Sequence, residues 1–245
     1  MKDINSSITG VTVSWNFADL VQTSVGSIRK FHPTMRIIIV DGSPKNSECQ
    51  RYVKGLPDED ENIISLLVDH NIGHGLGMNL GIDYVETPYV LFFDTDIVMV
   101  KSPLQGMLDM MEDDTYGVGY SEITAPDGHD WGVLPKHKKN DEPKVRYLHP
   151  YFQLIQVKEY RKYKPYIHHG APAISAMWDI YKKGLSDKVL KEFEGLGHTK
   201  GRGASWVPCA GEWVLHDVEH FGGTGRGREA LGLPHIEGKW DTSYV

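Results

Sequence analysis

The feature that most constrains this chain is a change of hydrophobic period that repeats across its first hundred residues. Apolar runs at "ITGVTVSW" (Ile8 to Trp15), "RIIIVDG" (Arg36 to Gly42), "NIISLLVD" (Asn62 to Asp69) and "YVLFFDTD" (Tyr89 to Asp96) are rich in Val, Ile and Phe and read as strands. Between them lie segments of helical spacing at Asp19 to Phe31 and Gly75 to Val85, and a weaker one at Ser47 to Gly55. Strand followed by helix, repeated in this way, is the signature of right-handed crossovers into a parallel sheet. Such sheets bind ligands beyond the carboxyl ends of their strands. Here those ends carry Ser14 and Asn16, then Asp41, then Asn71, then Asp94 and Asp96, which is more polar chemistry than helix capping requires.

Asp94 and Asp96 pose the sharpest question, because they close an apolar strand. Alternation sends them to the same side if the chain is still extended. Two neighbouring carboxylates raise each other's pKa unless a positive group lies between them, and a hard divalent cation with its preference for oxygen resolves the conflict. Taken alone, an Asp-x-Asp more often caps a helix or faces solvent at a strand end than binds a cation. Glycines at 73, 75 and 77 either admit a ligand close to the backbone or form a loop before a helix. Farther on, His216 and His220 are four apart, and either could complete a metal site begun by Asp96. The amides of Gly222 and Gly223 with Arg226 could hold phosphate oxygens. Trp131, Trp206 and Trp213 either stack on a sugar face or pack in a core.

At 245 residues the chain fits one large domain or a domain with an appendage. With 26 Lys plus Arg against 33 Asp plus Glu, its net charge of -7 argues against a nucleic-acid partner. Cys49 and Cys209 are the only cysteines, which favours a reducing compartment. The sequence shows neither a signal-peptide core nor an apolar run of the ~20 residues that cross a bilayer. The expectation is a cytoplasmic protein, open to peripheral contact with a membrane surface. Past Pro103 we expect a helix from Leu104 to Met111 and a strand from Thr115 to Glu122. A long polar loop from Ile123 to Tyr147 follows, then a strand from Tyr151 to Val157 and helices at Pro172 to Lys183 and Ser186 to Phe193.

Two stretches, "VTVSWNFADLVQTSVGSIRKFHPTMRIIIVDGSPKN" (Val11 to Asn46) and "NIGHGLGMNLGIDYVETPYVLFFDTDIVM" (Asn71 to Met99), together resemble the family two glycosyltransferases and their GT-A relatives. The resemblance implies an α/β GT-A fold, with a Rossmann-like nucleotide-binding half around a mostly parallel sheet and a smaller C-terminal acceptor part. It implies one domain over 1–245, with a nucleotide-sugar half at 1–100 and an acceptor half at 101–245. Ser14, Asn16 and Asp41 fall where the family holds base and ribose. Asn71, Gly73, Gly75 and Asn79 match the segment that closes over nucleotide and sugar. Asp94, near ribose and metal, Thr95, and Asp96 as direct ligand match the Asp-x-Asp motif. By the same resemblance His220 joins the metal shell, and Gly223 and Arg226 beside it face the donor.

The cofactor implied is Mn2+ or Mg2+. The partners implied are a nucleoside diphosphate sugar of UDP, GDP or dTDP type and a glycan or glycoconjugate acceptor hydroxyl, with inverting transfer. Two departures stand out. The turn "VDGSPKN" is one residue shorter than the commoner form, and the Glu-Asp pair of many inverting members is missing, its expected position falling near Ala173. His169 and Asp179 are the candidates for activating the acceptor. The rival readings are a haloacid-dehalogenase-type phosphatase with Asp94 as nucleophile, a nucleotidyltransferase, and an inactive carbohydrate-binding relative. The phosphatase leaves the first ninety-odd residues unexplained. The nucleotidyltransferase lacks its glycine-rich basic loop after the first strand.

Overall fold

The computed structural model describes residues 3–125, 143–167, 170–196, 207–209, 212–214 and 217–220. A short helix α1 (Ile4–Ser7) leads into β1 (Ile8–Ser14), α2 (Ala18–Arg29), β2 (Arg36–Asp41), α3 (Glu48–Glu59), β3 (Ile63–Leu67), α4 (His74–Ile82) and β4 (Tyr89–Phe93). β1 pairs in parallel with both β2 and β4, and β2 with β3. The expected strand and helix alternation is therefore present. Beyond the acids come β5 (Ile97–Met99), α5 (Leu104–Asp109), β6 (Gly117–Thr124), β7 (Val145–Gln156), α6 (Val157–Tyr160), α7 (Ile174–Lys182), α8 (Ser186–Val189) and β8 (Leu190–Glu192). Three short strands follow, β9 (Val207–Cys209), β10 (Glu212–Val214) and β11 (Val218–His220).

The main sheet has seven strands in the order β3-β2-β1-β4-β7-β6-β8, and β7 runs antiparallel to both of its neighbours. Alternation along the strands divides the core between the two faces. Ile37 and Ile39, with Leu91 and Phe93, meet Val21, Val25 and Ile28 of α2 and Val53 of α3; Ile38, Val40, Val90 and Phe92 meet Met78 of α4 and Met177 and Ile180 of α7. Burial on both faces explains why these strands read as unbroken apolar runs rather than alternating ones. Each fully buried side chain of this kind contributes roughly 1.5–3 kcal/mol. Among the described residues no helix is long and apolar enough to cross a membrane.

Three expectations are corrected. α3 does not stop near Gly55 but continues through Pro57 to Glu59. Proline removes the N–H that would bond the Val53 carbonyl one turn back, and Ser65 Oγ donates to that carbonyl instead, at 2.6 Å. The polar loop shrinks at both ends, because β6 runs to Thr124 and β7 begins at Val145, the two being paired Thr124 to Val145. Pairing across the sheet, invisible in local composition, makes strand out of "VRYLHP". The second helix of the C-terminal pair ends at Val189 and turns into β8, which pairs with Gly117 to Gly119 along the open edge of β6.

Candidate active site

The carboxyl ends of β1 and β2 are in register, Ser14 opposite Asp41. Asp41 is fully buried. Its Oδ1 accepts Ser14 Oγ and Ser43 Oγ, each at 2.7 Å, and the Cys49 thiol at 3.5 Å. Its Oδ2 is just as buried and has no hydrogen-bond partner among the described residues. An acceptor left in that state costs about 1–3 kcal/mol, more when charged, so its presence points to a ligand that donates to it. Burial, with the charge of Asp41 adding, pushes the Cys49 thiol up to about 11, so it is no nucleophile. Asn16 lies exposed at the rim with φ 66, and its backbone N–H donates to Ser43 Oγ at 2.8 Å.

The Asn-Gly segment is built tightly, against its own chain. Asn71 Oδ1 accepts the Gly73 N–H at 2.9 Å, and Gly73, at φ 81, starts α4 in a conformation that disfavours a side chain. A Cβ at Gly75 would overlap the Ile167 carbonyl, and one at Gly77 would lie 2.7 Å from the Val13 methyls. The close approaches these two glycines permit are thus between chain segments. Asn79 Nδ2 donates to the Tyr166 carbonyl at 2.7 Å, while its Oδ1 accepts the Tyr166 N–H at 3.0 Å and the Tyr160 hydroxyl. These bonds moor α4 to the 160–166 segment.

At the end of β4 the chain assembles charge. Asp94 N–H donates to the Tyr151 carbonyl at 2.8 Å, the last bond between β4 and β7. Asp94 Oδ1 is buried, and His74 Nε2 lies 3.0 Å from it. His220 Nε2 lies 3.8 Å from Asp94 Oδ2 and 3.4 Å from Asp96 Oδ1. Asp94, Asp96 and His220 each offer a ligand atom within 4.8 Å of the others. Two carboxylates and an imidazole so placed fit a divalent cation. Thr95 sits half-buried between the two acids.

His220 arrives from far along the chain. β11 pairs antiparallel with β5 and sets His220 opposite Ile97, next to Asp96. Tyr151 stacks on its ring at 4.5 Å and 9°. Relative to Gly119 to Ser121 of β6, β7 carries extra residues between Leu148 and Gln153, and Pro150 lies in this bulge. The bulge delivers His149 and Tyr151 to the site, the use such irregularities often have beside functional residues. Burial works against a charged imidazole at His220, but the hydrogen bond and charge of Asp96, with Asp94 behind, hold its pKa above the ordinary value. At His74 burial is likewise outweighed by the charge and contact of Asp94.

The structure therefore groups Ser14, Asn16 and Asp41 at one end of the sheet edge, and Asp94, Thr95, Asp96 and His220 at the other. Asp179 lies on α7, its carboxylate 3.2 Å from Lys183 Nζ, about 9 Å along the helix from the Ala173 end that meets Tyr147. His169, Gly223 and Arg226, with His216, Gly222, Trp131 and Trp206, fall outside the described residues. Sequence reasoning passed over Ser43, His74, His149 and Tyr151. His74 was visible as the one ionisable side chain in "NIGHGLGMN"; the others are placed by the turn after β2 and the bulge in β7.

A family model described as glycosyl transferase family 2 matches residues 11–178. The chain belongs to glycosyl transferase family 2. The match spans both the Asp41 turn and the Asp94–Asp96 motif, and it overtakes the phosphatase and nucleotidyltransferase readings. Among curated relatives, the family member resembles beta-1,4 N-acetylgalactosaminyltransferase 1 of Mus musculus, at 29% identity over 111 residues, 45% of this chain and 19% of that protein. The chain thus spans about a fifth of that relative's length. Among solved structures it resembles the mannosyltransferase PcManGT from Pyrobaculum calidifontis, solved with GDP-Man and Mn2+. The TM-score is 0.55 at 11% identity, covering 76% of this chain and 54% of that one. It also resembles S. aureus TarS 1-349, with TM-score 0.51 at 11% identity, covering 76% and 58%. At such identities the likeness is one of fold, and the fold is GT-A.

Proposed function

We propose that this family two member is a glycosyltransferase that moves a sugar from a nucleoside diphosphate to an acceptor hydroxyl, with Mn2+ or Mg2+ held by Asp94, Asp96 and His220. The observation that carries the reading is a pair of carboxylates at one sheet edge: Asp41, whose buried Oδ2 has no hydrogen-bond partner among the described residues, and Asp94, which groups with Asp96 and His220 within 4.8 Å. They lie on β2 and just past β4, with β1 between. Two strand spacings separate them, roughly 9–10 Å, a span that a nucleoside diphosphate covers from base edge to phosphates. The bound cation would neutralise charge on the departing diphosphate.

Asp41 sets the base. With Oδ1 already engaged by Ser14, Ser43 and Cys49, Oδ2 accepts a ring N–H, the imide of uracil or thymine or the lactam of guanine (imide-bearing bases, for short), which the ring nitrogen of cytosine does not offer. Asn16 at the rim faces the ribose, and the amides of Gly223 with Arg226 serve the phosphates. The transfer is a single displacement. The acceptor oxygen attacks the anomeric carbon, the bond to the diphosphate oxygen breaks, and the hydroxyl proton passes to a base, giving inversion. Of the two sequence candidates for that base, Asp179 is engaged by Lys183, which favours His169.

The test is calorimetric titration with UDP, dTDP, GDP and CDP, each with Mn2+ and with chelator, on the wild type and on Asp96→Ala. Metal-dependent binding of an imide-bearing nucleotide, at least tenfold tighter than CDP and lost in Asp96→Ala, is the expected result. Equal binding of all four, or binding indifferent to the metal, would overturn the reading.

A further inference from the structure

The residue left unexplained by this reading is His74. It is the first residue of α4, and its Nε2 lies 3.0 Å from Asp94 Oδ1, a buried carboxylate oxygen. Its side chain is about a third exposed, so burial in a core is not what places it. What places it is a set of close constraints on either side. The Asn71 side chain closes a turn on the Gly73 N–H, and Gly73 takes the positive φ that lets the helix begin there. Gly75 seats the first turn directly on the Ile167 backbone, and Asn79, one turn on, is held by Tyr160 and Tyr166. A helix start fixed at this many points gives an imidazole little freedom to leave its partner.

A carboxylate that binds a cation is commonly oriented by a second hydrogen-bonding group, and removal of that group weakens metal binding about ten- to a hundredfold. Asp94 would otherwise swing about its side-chain torsions, because its backbone N–H is tied to Tyr151 while its carboxylate has the imidazoles of His74 and His220 for close cationic neighbours among the described residues. We propose that His74 is a positioning residue that holds the Asp94 carboxylate in the orientation that receives the divalent cation. On this account the segment around "NIGHGLGMN" has two duties: its glycines and Asn79 pack α4 into place, and His74 carries that rigidity to the acid at the end of β4. The inference rests on the reading of Asp94, Asp96 and His220 as cation ligands.

The experiment is titration of the full chain with Mn2+ alone, following the loss of the free-ion signal by electron paramagnetic resonance, on wild type, His74→Ala, His74→Gln and Asp96→Ala. The Gln side chain keeps an N–H donor close to where Nε2 stands; Ala keeps none. Expected are a dissociation constant raised about tenfold or more in His74→Ala, recovery of most of that loss in His74→Gln, and unchanged melting temperatures in chelator for both. Wild-type affinity in His74→Ala, with binding lost in Asp96→Ala, would overturn the role of His74 and leave the cation site standing. Equal weakening in Ala and Gln would overturn positioning through a donated N–H. Wild-type affinity in Asp96→Ala would sink the cation site and this inference together.

Discussion

The two ends of the sheet edge are built differently. At the Asp41 end every partner comes from nearby chain: Ser14, Ser43 and Cys49 all lie within the first fifty residues and one crossover. At the Asp94 end, the acids meet His74 from α4, Tyr151 from the bulged β7 and His220 from β11. The first is a buried polar cluster prepared by neighbouring strands of one parallel unit. The second is a junction where distant segments converge on two like charges, which is tolerable only because imidazoles, and in our reading a cation, offset the repulsion.

Substitutions should separate the two ends. The largest effect is expected for Asp96→Ala, with Mn2+-dependent nucleotide affinity falling a hundredfold or more while affinity measured in chelator stays within a few-fold. An equal fall in both conditions would merge the two ends into one. Asp41→Asn should do the reverse, weakening an imide-bearing nucleotide about 10- to 100-fold, as for a lost hydrogen bond to a charged group, with Mn2+ binding to the nucleotide-free protein unchanged.

Gly75→Ala tests the frame between the ends. Its Cβ would overlap the Ile167 carbonyl, so a loss of about 3 kcal/mol and of roughly 6–12 °C in melting temperature is expected. The Asp94 end should also show in the pH dependence of stability. The pKa of His220 is raised above its ordinary 6.5 because the acids outweigh burial. A raised histidine contributes stability that is fully present below 6.5 and is lost as pH rises through the folded value. The melting temperature of the wild type in chelator should therefore fall relative to His220→Ala as pH rises above 6.5, and parallel curves for the two proteins would refute the pairing. The smallest effect is expected at Ser65→Ala, which strips the Val53 carbonyl of its donor and should cost about 1 kcal/mol in denaturant unfolding with nucleotide binding untouched.

Much of the first hundred residues was legible because its signals are local. Strand runs, helical spacing and the polar residues at strand ends sit within a few positions of each other, and Asp41, Asp94 and Asp96 were found that way. Asn79 was legible as a notable residue but not in its contacts, since the Tyr160 and Tyr166 groups it binds lie some eighty residues on. The strand content of Val145 to Pro150 was hidden because its composition is mixed and contains a proline, and only pairing with β6 makes it a strand.

The sequence by itself determined the parallel α/β unit, the family resemblance and the two acids, because hydrophobic period and turn chemistry are properties of neighbouring residues. Only the tertiary structure decided that His74 stands against Asp94 and how the bulge in β7 brings Tyr151 onto His220. It likewise decided that one oxygen of Asp41 has no hydrogen-bond partner among the described residues. Each of these depends on which strands pair and in what register, and that is fixed by burial summed over the whole core rather than by any one segment.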